Sequence, residues 1–227
     1  SLPPVEGIEV RPRRSSDVSP ASVLEAYGKA VGGDGAHPIT GLRFEGTCTM
    51  AGVKSKVDAT ASENKYTFVV HGAKGDNRTG SNGTLAWFTT EKGIQPVPVP
   101  IALQYVNQRL TYTGPASLPK LENTMGATAK LAGKDTLVVS GTDASRVRVS
   151  MYFDKATGLL VRISRSYPSI LGSMAKIDDF SNYRRVAGTM LPMKIVNHDT
   201  EGDTEIEYRS AKVDNKLDPT SFDPPKS

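Results

Sequence analysis

The chain of 227 residues sets 28 Lys and Arg against 24 Asp and Glu, a formal charge of +4 mixed along its length. That mixture excludes the one-sided basic face that nucleic acid requires, and the local cluster Arg11-Pro12-Arg13-Arg14 is offset by Glu6, Glu9 and Asp17. A single Cys excludes an internal disulfide and a Cys-based metal site, and no apolar run reaches the length of a membrane-spanning helix.

Residues 1–18 hold three prolines and no periodicity, so they read as an extended linker or strap, with residues 19–227 as the folded domain. Ser1 in place of an initiator Met is expected of a processed or trimmed chain, with any signal peptide or lipid-anchor Cys upstream. Ser19 as N-cap and Pro20 at the first helical position open a helix over 20–31, with Val23, Leu24, Tyr27 and Val31 on one face and Gly32-Gly33 to end it. Strands follow. Leu42, Phe44, Gly46, Cys48 and Met50 alternate with Arg43, Glu45, Thr47 and Thr49, and Ala51-Gly52 turns the chain back. Tyr66, Phe68 and Val70 alternate with Thr67 and Val69 before glycine-rich turns lead to Leu85-Ala86-Trp87-Phe88. Pro96, Pro98 and Pro100 forbid a central strand, and 101–110 (IALQYVNQRL) reads as a second helix.

The clearest local signal is the hairpin around 147–163. Val147, Val149, Met151 and Phe153 alternate with Arg146, Arg148, Ser150 and Tyr152, and Asp154 to Gly158 supplies the turn before Leu159 to Ile163 returns. The first set is expected inward; Arg148 and Arg162, with Arg43 and Glu45, are expected outward. Further strands are expected over 128–131, 136–140, 174–183, 188–197 and 204–213. The whole predicts a mainly β fold: a single curved antiparallel sheet of about ten strands with two or three helices, packed on its concave side.

No constellation for chemistry emerges. His37, His71 and His198 lie far apart without a spaced partner and read as exposed polar residues. Cys48 shares the apolar register of Phe44 and Met50 and reads as an inert buried thiol. Asp178 and Asp179, as strand neighbours, point to opposite faces and read as surface or turn residues. The stretch 72–83 (GAKGDNRTGSNG) lacks the Gly-Lys-Ser/Thr ending of a phosphate loop and reads as hairpin turns. No catalytic, metal or cofactor residues are therefore assigned, and the chain is not expected to be an enzyme.

Several segments in order carry a resemblance: SVLEAYGKAVGG (22–33), GLRFEGT (41–47), NGTLAWF (82–88), MYFDKATGLLVR (151–162), DDFSNYRRVAGTMLP (178–192) and LDPTSFDPP (217–225). Together they resemble a bacterial domain found C-terminal to c-type cytochrome segments in acidobacterial proteins of the photosynthetic reaction centre cytochrome subunit type. That domain is similar in layout to the LolA/LolB/LppX superfamily of periplasmic lipoprotein and lipid carriers. The resemblance implies a half-barrel whose concave face holds acyl chains, in an extracytoplasmic setting. It would place a hydrophobic ligand against Phe44, Phe68, Trp87, Ile101, Tyr105, Met151 and Phe153. Trp87 and the 101–110 helix have an equally simple reading as core residues that fill the sheet themselves. The alternative is a docking subunit that meets a c-type cytochrome or a membrane complex through residues 1–18. No CxxCH is present, so this segment holds no haem c of its own.

Overall fold

The computed structural model describes residues 13–14, 17–32, 39–97, 111–169, 172–199 and 202–225. Among these there is one α-helix, α1 (Pro20–Val31), and fourteen strands, of which β1 (Arg13–Arg14) is only a two-residue pair. The thirteen longer strands are β2 (Leu42–Met50), β3 (Val53–Ser62), β4 (Lys65–Gly72), β5 (Gly75–Ser81), β6 (Ala86–Thr90), β7 (Gly93–Pro96), β8 (Glu122–Leu131), β9 (Lys134–Thr142), β10 (Arg148–Asp154), β11 (Leu160–Ser169), β12 (Gly172–Val186), β13 (Thr189–Asp199) and β14 (Gly202–Val213). They form one open antiparallel sheet in the order β1-β8-β9-β10-β11-β12-β13-β14-β2-β3-β4-β5-β6-β7. The order is a meander of hairpins broken where β1 pairs with β8 and where β14 pairs with β2.

The strand count exceeds the ten expected from sequence because β1, β5 and β7 carry no alternation to read. β5 (GDNRTGS) lies within the stretch read as turns; it is a strand because β4 pairs with it residue for residue from Tyr66↔Ser81 to Gly72↔Gly75. Ladder hydrogen bonds here override a composition that favours turns. One α-helix stands where two or three were expected, beside 3₁₀ turns at Pro115–Ser117 and Pro219–Phe222. The 101–110 segment lies outside the described residues. Within the expected strap, Arg13 and Arg14 pair with Thr128 and Ala127 of β8, so this part is a strand of the same sheet.

The chain divides into two compact units. The first comprises 1–35, 114–181 and 196–203. In it the Ser19 side chain accepts from the Ser22 N–H, and Pro20 occupies the first turn of α1. Val23, Tyr27 and Val31, spaced by four, are buried, and the Tyr27 ring lies 5.4 Å from that of Phe153. α1 therefore covers the face of Val149, Met151 and Phe153, all essentially inaccessible. Gly158, with φ +74, closes the β10–β11 turn, and Asp154 Oδ1 accepts from the Ala156 and Thr157 N–H groups at 3.0 and 2.8 Å.

Two residues expected outward are buried. Tyr152 joins Val138 and Ala127 in a second, smaller core on the opposite face, where register aligns all three. Arg162, aligned next to Tyr152, is 7% exposed, and its guanidinium donates to both Asp179 oxygens at 2.6 and 2.7 Å. Simple alternation fails here because the centre of this sheet is covered on both sides.

The second unit comprises 36–113, 182–195 and 204–227. Its ladders set up two faces. One carries the row Phe44–Ala59–Phe68–Thr79–Phe88 and the other the row Arg43–Thr60–Thr67–Gly80–Trp87. On the Trp87 side the C-terminal turn supplies the cover: Phe222 is 1% exposed, and its carbonyl accepts from Trp87 Nε1 at 3.1 Å. Gly80 is required beneath the indole, since a Cβ there would stand 2.5 Å from Trp87 Cζ2.

Candidate functional site

The face of the second unit that bears Phe44 is graded along the strands. At one end the row Leu42–Ala61–Tyr66–Ser81–Ala86 is buried throughout. In the next row Phe44 and Ala59 are buried while Phe68, Thr79 and Phe88 are half-buried. Gly46–Val57–Val70–Asn77 follows with only Val57 buried, and beyond Cys48 and Ser55 the pair Met50↔Val53 is 61% and 66% exposed. Period-two alternation brings these residues to one face; burial is complete in the Leu42 row, lapses on β4 to β6 and is lost at the β2–β3 turn, while Cys48 and its β14 partner Ile206 stay buried. Ala51 and Gly52, at φ 49 and 77, shape that turn. Half-buried Phe and Val on a sheet face make a surface that an apolar chain can cover, with each side chain gaining up to about 1–2 kcal/mol on full burial.

β14 completes the face. Ile206 and Tyr208 pair with Cys48 and Gly46, and a bulge at Arg209 shifts the register before Ser210 meets Glu45. The Tyr208 ring stacks on Phe44 with centroids 4.5 Å apart. Burial pushes the Tyr208 phenol above its ordinary range, the neighbouring Cys48 adding to the shift, and burial likewise raises the Cys48 thiol. Cys48 is buried, as its register implies.

The opposite face of this unit is polar. A cavity of about 400 Å³ is lined by Glu45, Thr47, Lys56, Asp58, His71, Arg184, Glu207 and Arg209, together with Gly46, Val57 and Tyr208. His71 is not the partnerless histidine expected from sequence: Nε2 faces Asp58 at 2.7 Å and Nδ1 faces Asp76 at 2.9 Å. In the first unit His198 is held alike, 3.2 Å from Asp179 and 2.7 Å from Asp203. Each His faces an Asp five residues ahead across a tight hairpin, a spacing that could have signalled the pairs.

Asp178 and Asp179 do point to opposite faces of β12, but they are ion-paired strand residues and not surface or turn residues. Asp178 accepts from Arg165 and Asn197 at 2.7 Å each, and Asp179 from Arg162. Among the described residues no group of three or more His, Cys, Asp or Glu is placed to share one metal ion.

Of the seven residues assigned to a ligand, Phe44 and Phe68 share the graded face. Trp87 lies on the opposite face, its N–H satisfied by Phe222. Met151 and Phe153 belong to the first unit, beneath α1. Ile101 and Tyr105 lie outside the described residues. Sequence reading passed over Val70, Phe88, Met50, Val53 and Tyr208. For Phe88 the signal was present: it adjoins Trp87 on a strand, so the two must face opposite sides, and size alone favoured the Trp.

No protein-family profile matches this sequence, and no characterised protein matches it by sequence. In fold the chain is similar to a LolA superfamily protein from Nitrosomonas europaea, with a TM-score of 0.56 at 14% identity over 90% of this chain and 97% of that one. It is also similar to a putative outer membrane lipoprotein-sorting protein domain from Vibrio parahaemolyticus, with a TM-score of 0.58 at 10% identity over 89% and 95% of the two chains. A DUF1329 family protein from Desulfovibrio piger gives 0.52 at 10% identity over 89% and 96%. The chain thus has a LolA-like fold.

Proposed function

We propose that this protein is a non-enzymatic, extracytoplasmic binding module that holds an acyl chain or similar hydrophobic ligand on the graded face of its second unit. The observation that carries the reading is the fall in burial from Leu42 and Tyr66 through Phe68, Val70 and Phe88 to Met50 and Val53. Apolar side chains left half-covered on one face are what a hydrophobic ligand would complete. The likeness in fold to an outer membrane lipoprotein-sorting domain favours a lipid or lipoprotein acyl chain as ligand and an extracytoplasmic setting. No helix among the described residues is long and apolar enough to cross a membrane. Docking to a c-type cytochrome through residues 1–18 draws less support, because Arg13 and Arg14 are engaged by β8.

The test is to extract purified protein with organic solvent, search for lipid by mass spectrometry, and titrate the stripped protein with a fluorescent fatty acid. Replacing Phe68 or Phe88 with Asp is expected to weaken binding about tenfold or more while circular dichroism is unchanged. A stripped protein that binds no probe, or Asp variants that bind as well as the parent, would end this reading.

A further inference from the structure

We propose that the ligand carries a hydrogen-bond acceptor in its buried part, the carbonyl of a fatty acyl ester or acid, and that the Tyr208 hydroxyl receives it. This rests on the reading of the graded face as a hydrophobic-ligand site. Tyr208 is 1% exposed, and its hydroxyl oxygen is buried with no hydrogen-bond partner among the described residues. Buried phenols ordinarily find a partner, because burying one unmet forfeits its bonds to water. The ring alone does not explain the residue: a Phe would stack on Phe44 equally well and carry no such penalty.

The placement of the ring follows from the backbone. Tyr208 pairs with Gly46 at the bulge, and a side chain at Gly46 is barred, since its Cβ would stand 2.2 Å from the Glu207 carbonyl oxygen. The β14 backbone at the bulge fills the place where a Gly46 side chain would stand, and the Tyr208 ring lies beside Phe44 on the face that Phe44, Gly46 and Cys48 share. The Gly46 row stands midway between the closed end at Leu42 and the open end at Met50 and Val53. A phenol is protonated at neutral pH and burial only reinforces this, so the hydroxyl is a neutral donor. A carbonyl oxygen is a neutral acceptor that an acyl chain brings with it, and a plain hydrocarbon brings none. Site selection against a ligand lacking the acceptor follows, because the hydroxyl then stays unmet.

The experiment measures binding of radiolabelled methyl palmitate, palmitic acid and hexadecane, delivered from cyclodextrin, to the parent protein and to Tyr208→Phe. The expected result is a loss of about fivefold or more for methyl palmitate and palmitic acid, with hexadecane unchanged. Loss confined to palmitic acid would identify the carbonyl as that of a free acid. The ligand-free variant should unfold at the same or a higher urea concentration, because the hydroxyl it lacks has no partner among the described residues. With ¹³C-carbonyl methyl palmitate, the carbonyl infrared stretch should lie lower in the parent than in the variant. Equal effects on all three probes, no effect on any, an unshifted stretch or a destabilised ligand-free variant would overturn the assignment of Tyr208. Failure of the parent to bind any of the three would remove both this inference and the reading beneath it.

Discussion

The two units treat the same problem, an apolar sheet face, in opposite ways. In the first, α1 lays Val23, Tyr27 and Val31 over Val149, Met151 and Phe153, and the face is filled by the protein's own side chains. In the second, the C-terminal turn covers the Trp87 side, whereas on the Phe44 side burial lapses from Tyr66 to Phe68 and Val70 and then to Met50 and Val53. A face that is already packed gains nothing from a ligand. A half-covered one does, and this difference locates the candidate site more sharply than the count of aromatic residues on either face.

The comparison is broken most directly by truncation. Tyr27→Ala should destabilise the protein by about 3–5 kcal/mol, because a fully buried aromatic leaves a cavity under α1. Phe68→Ala, at a half-buried position, should cost only about 1–2 kcal/mol and should weaken ligand binding. Urea midpoints of the two variants test this, and equal losses would mean that the second unit's face is as tightly packed as the first's.

A smaller effect is expected from the ion pairs. Asp178→Ala removes the buried carboxylate that stands 2.7 Å from both Arg165 and Asn197 and should cost about 1–3 kcal/mol. The exposed pair Lys130–Asp135 has similar geometry at 2.7 Å, yet Asp135→Ala should cost under about 1 kcal/mol. Denaturation of both variants side by side decides whether burial or distance governs.

Gly80→Ala should cost about 1–3 kcal/mol, since the new Cβ would meet the indole at 2.5 Å, and it should shift Trp87 emission to longer wavelength as the ring moves. Trp87 is the only Trp, so the spectrum is unambiguous. Because Trp87 lies on the opposite face, saturating fatty acid should leave the parent's emission nearly unmoved. A large ligand-induced shift would place the ligand on the wrong side of the sheet for the reading above.

The smallest effect is that of pH on the Asp58–His71–Asp76 clamp. Hydrogen bonds to Asp58 and then Asp76 hold the His71 imidazolium above its ordinary value of 6.5, while His71 in turn holds Asp76 below its ordinary 3.8. A raised folded-state value means that the His71 contribution is complete below 6.5 and is lost as pH rises through the higher folded value. The Asp76 contribution has the opposite sign: it is present above 3.8 and is lost as pH falls through the lower folded value. Both groups are exposed, so the effect on stability is slight. An NMR titration of His71 should move to a lower midpoint in Asp58→Asn, and an unmoved midpoint would dissolve the clamp.

Local pattern was enough to place α1 within its observed limits, to orient Val149, Met151 and Phe153 inward, and to put Phe44, Cys48 and Phe68 on one face. Each of these rests on a period of two or four residues, which backbone geometry imposes wherever the element forms. Pairing across strands carries no such local mark. That β5 is a strand depends on the ladder β4 offers. That Arg162 and Tyr152 are buried, and that Trp87 faces away from Phe44, depends on register and on what covers each face. The partners of His71 and His198 also depend on which strands lie side by side. Sequence alone determined α1, the strands with a clear period of two and which of their residues share a side; only the tertiary structure decided the remaining strands and which faces are closed, because pairing and burial are properties of the neighbours a residue acquires and not of the residue itself.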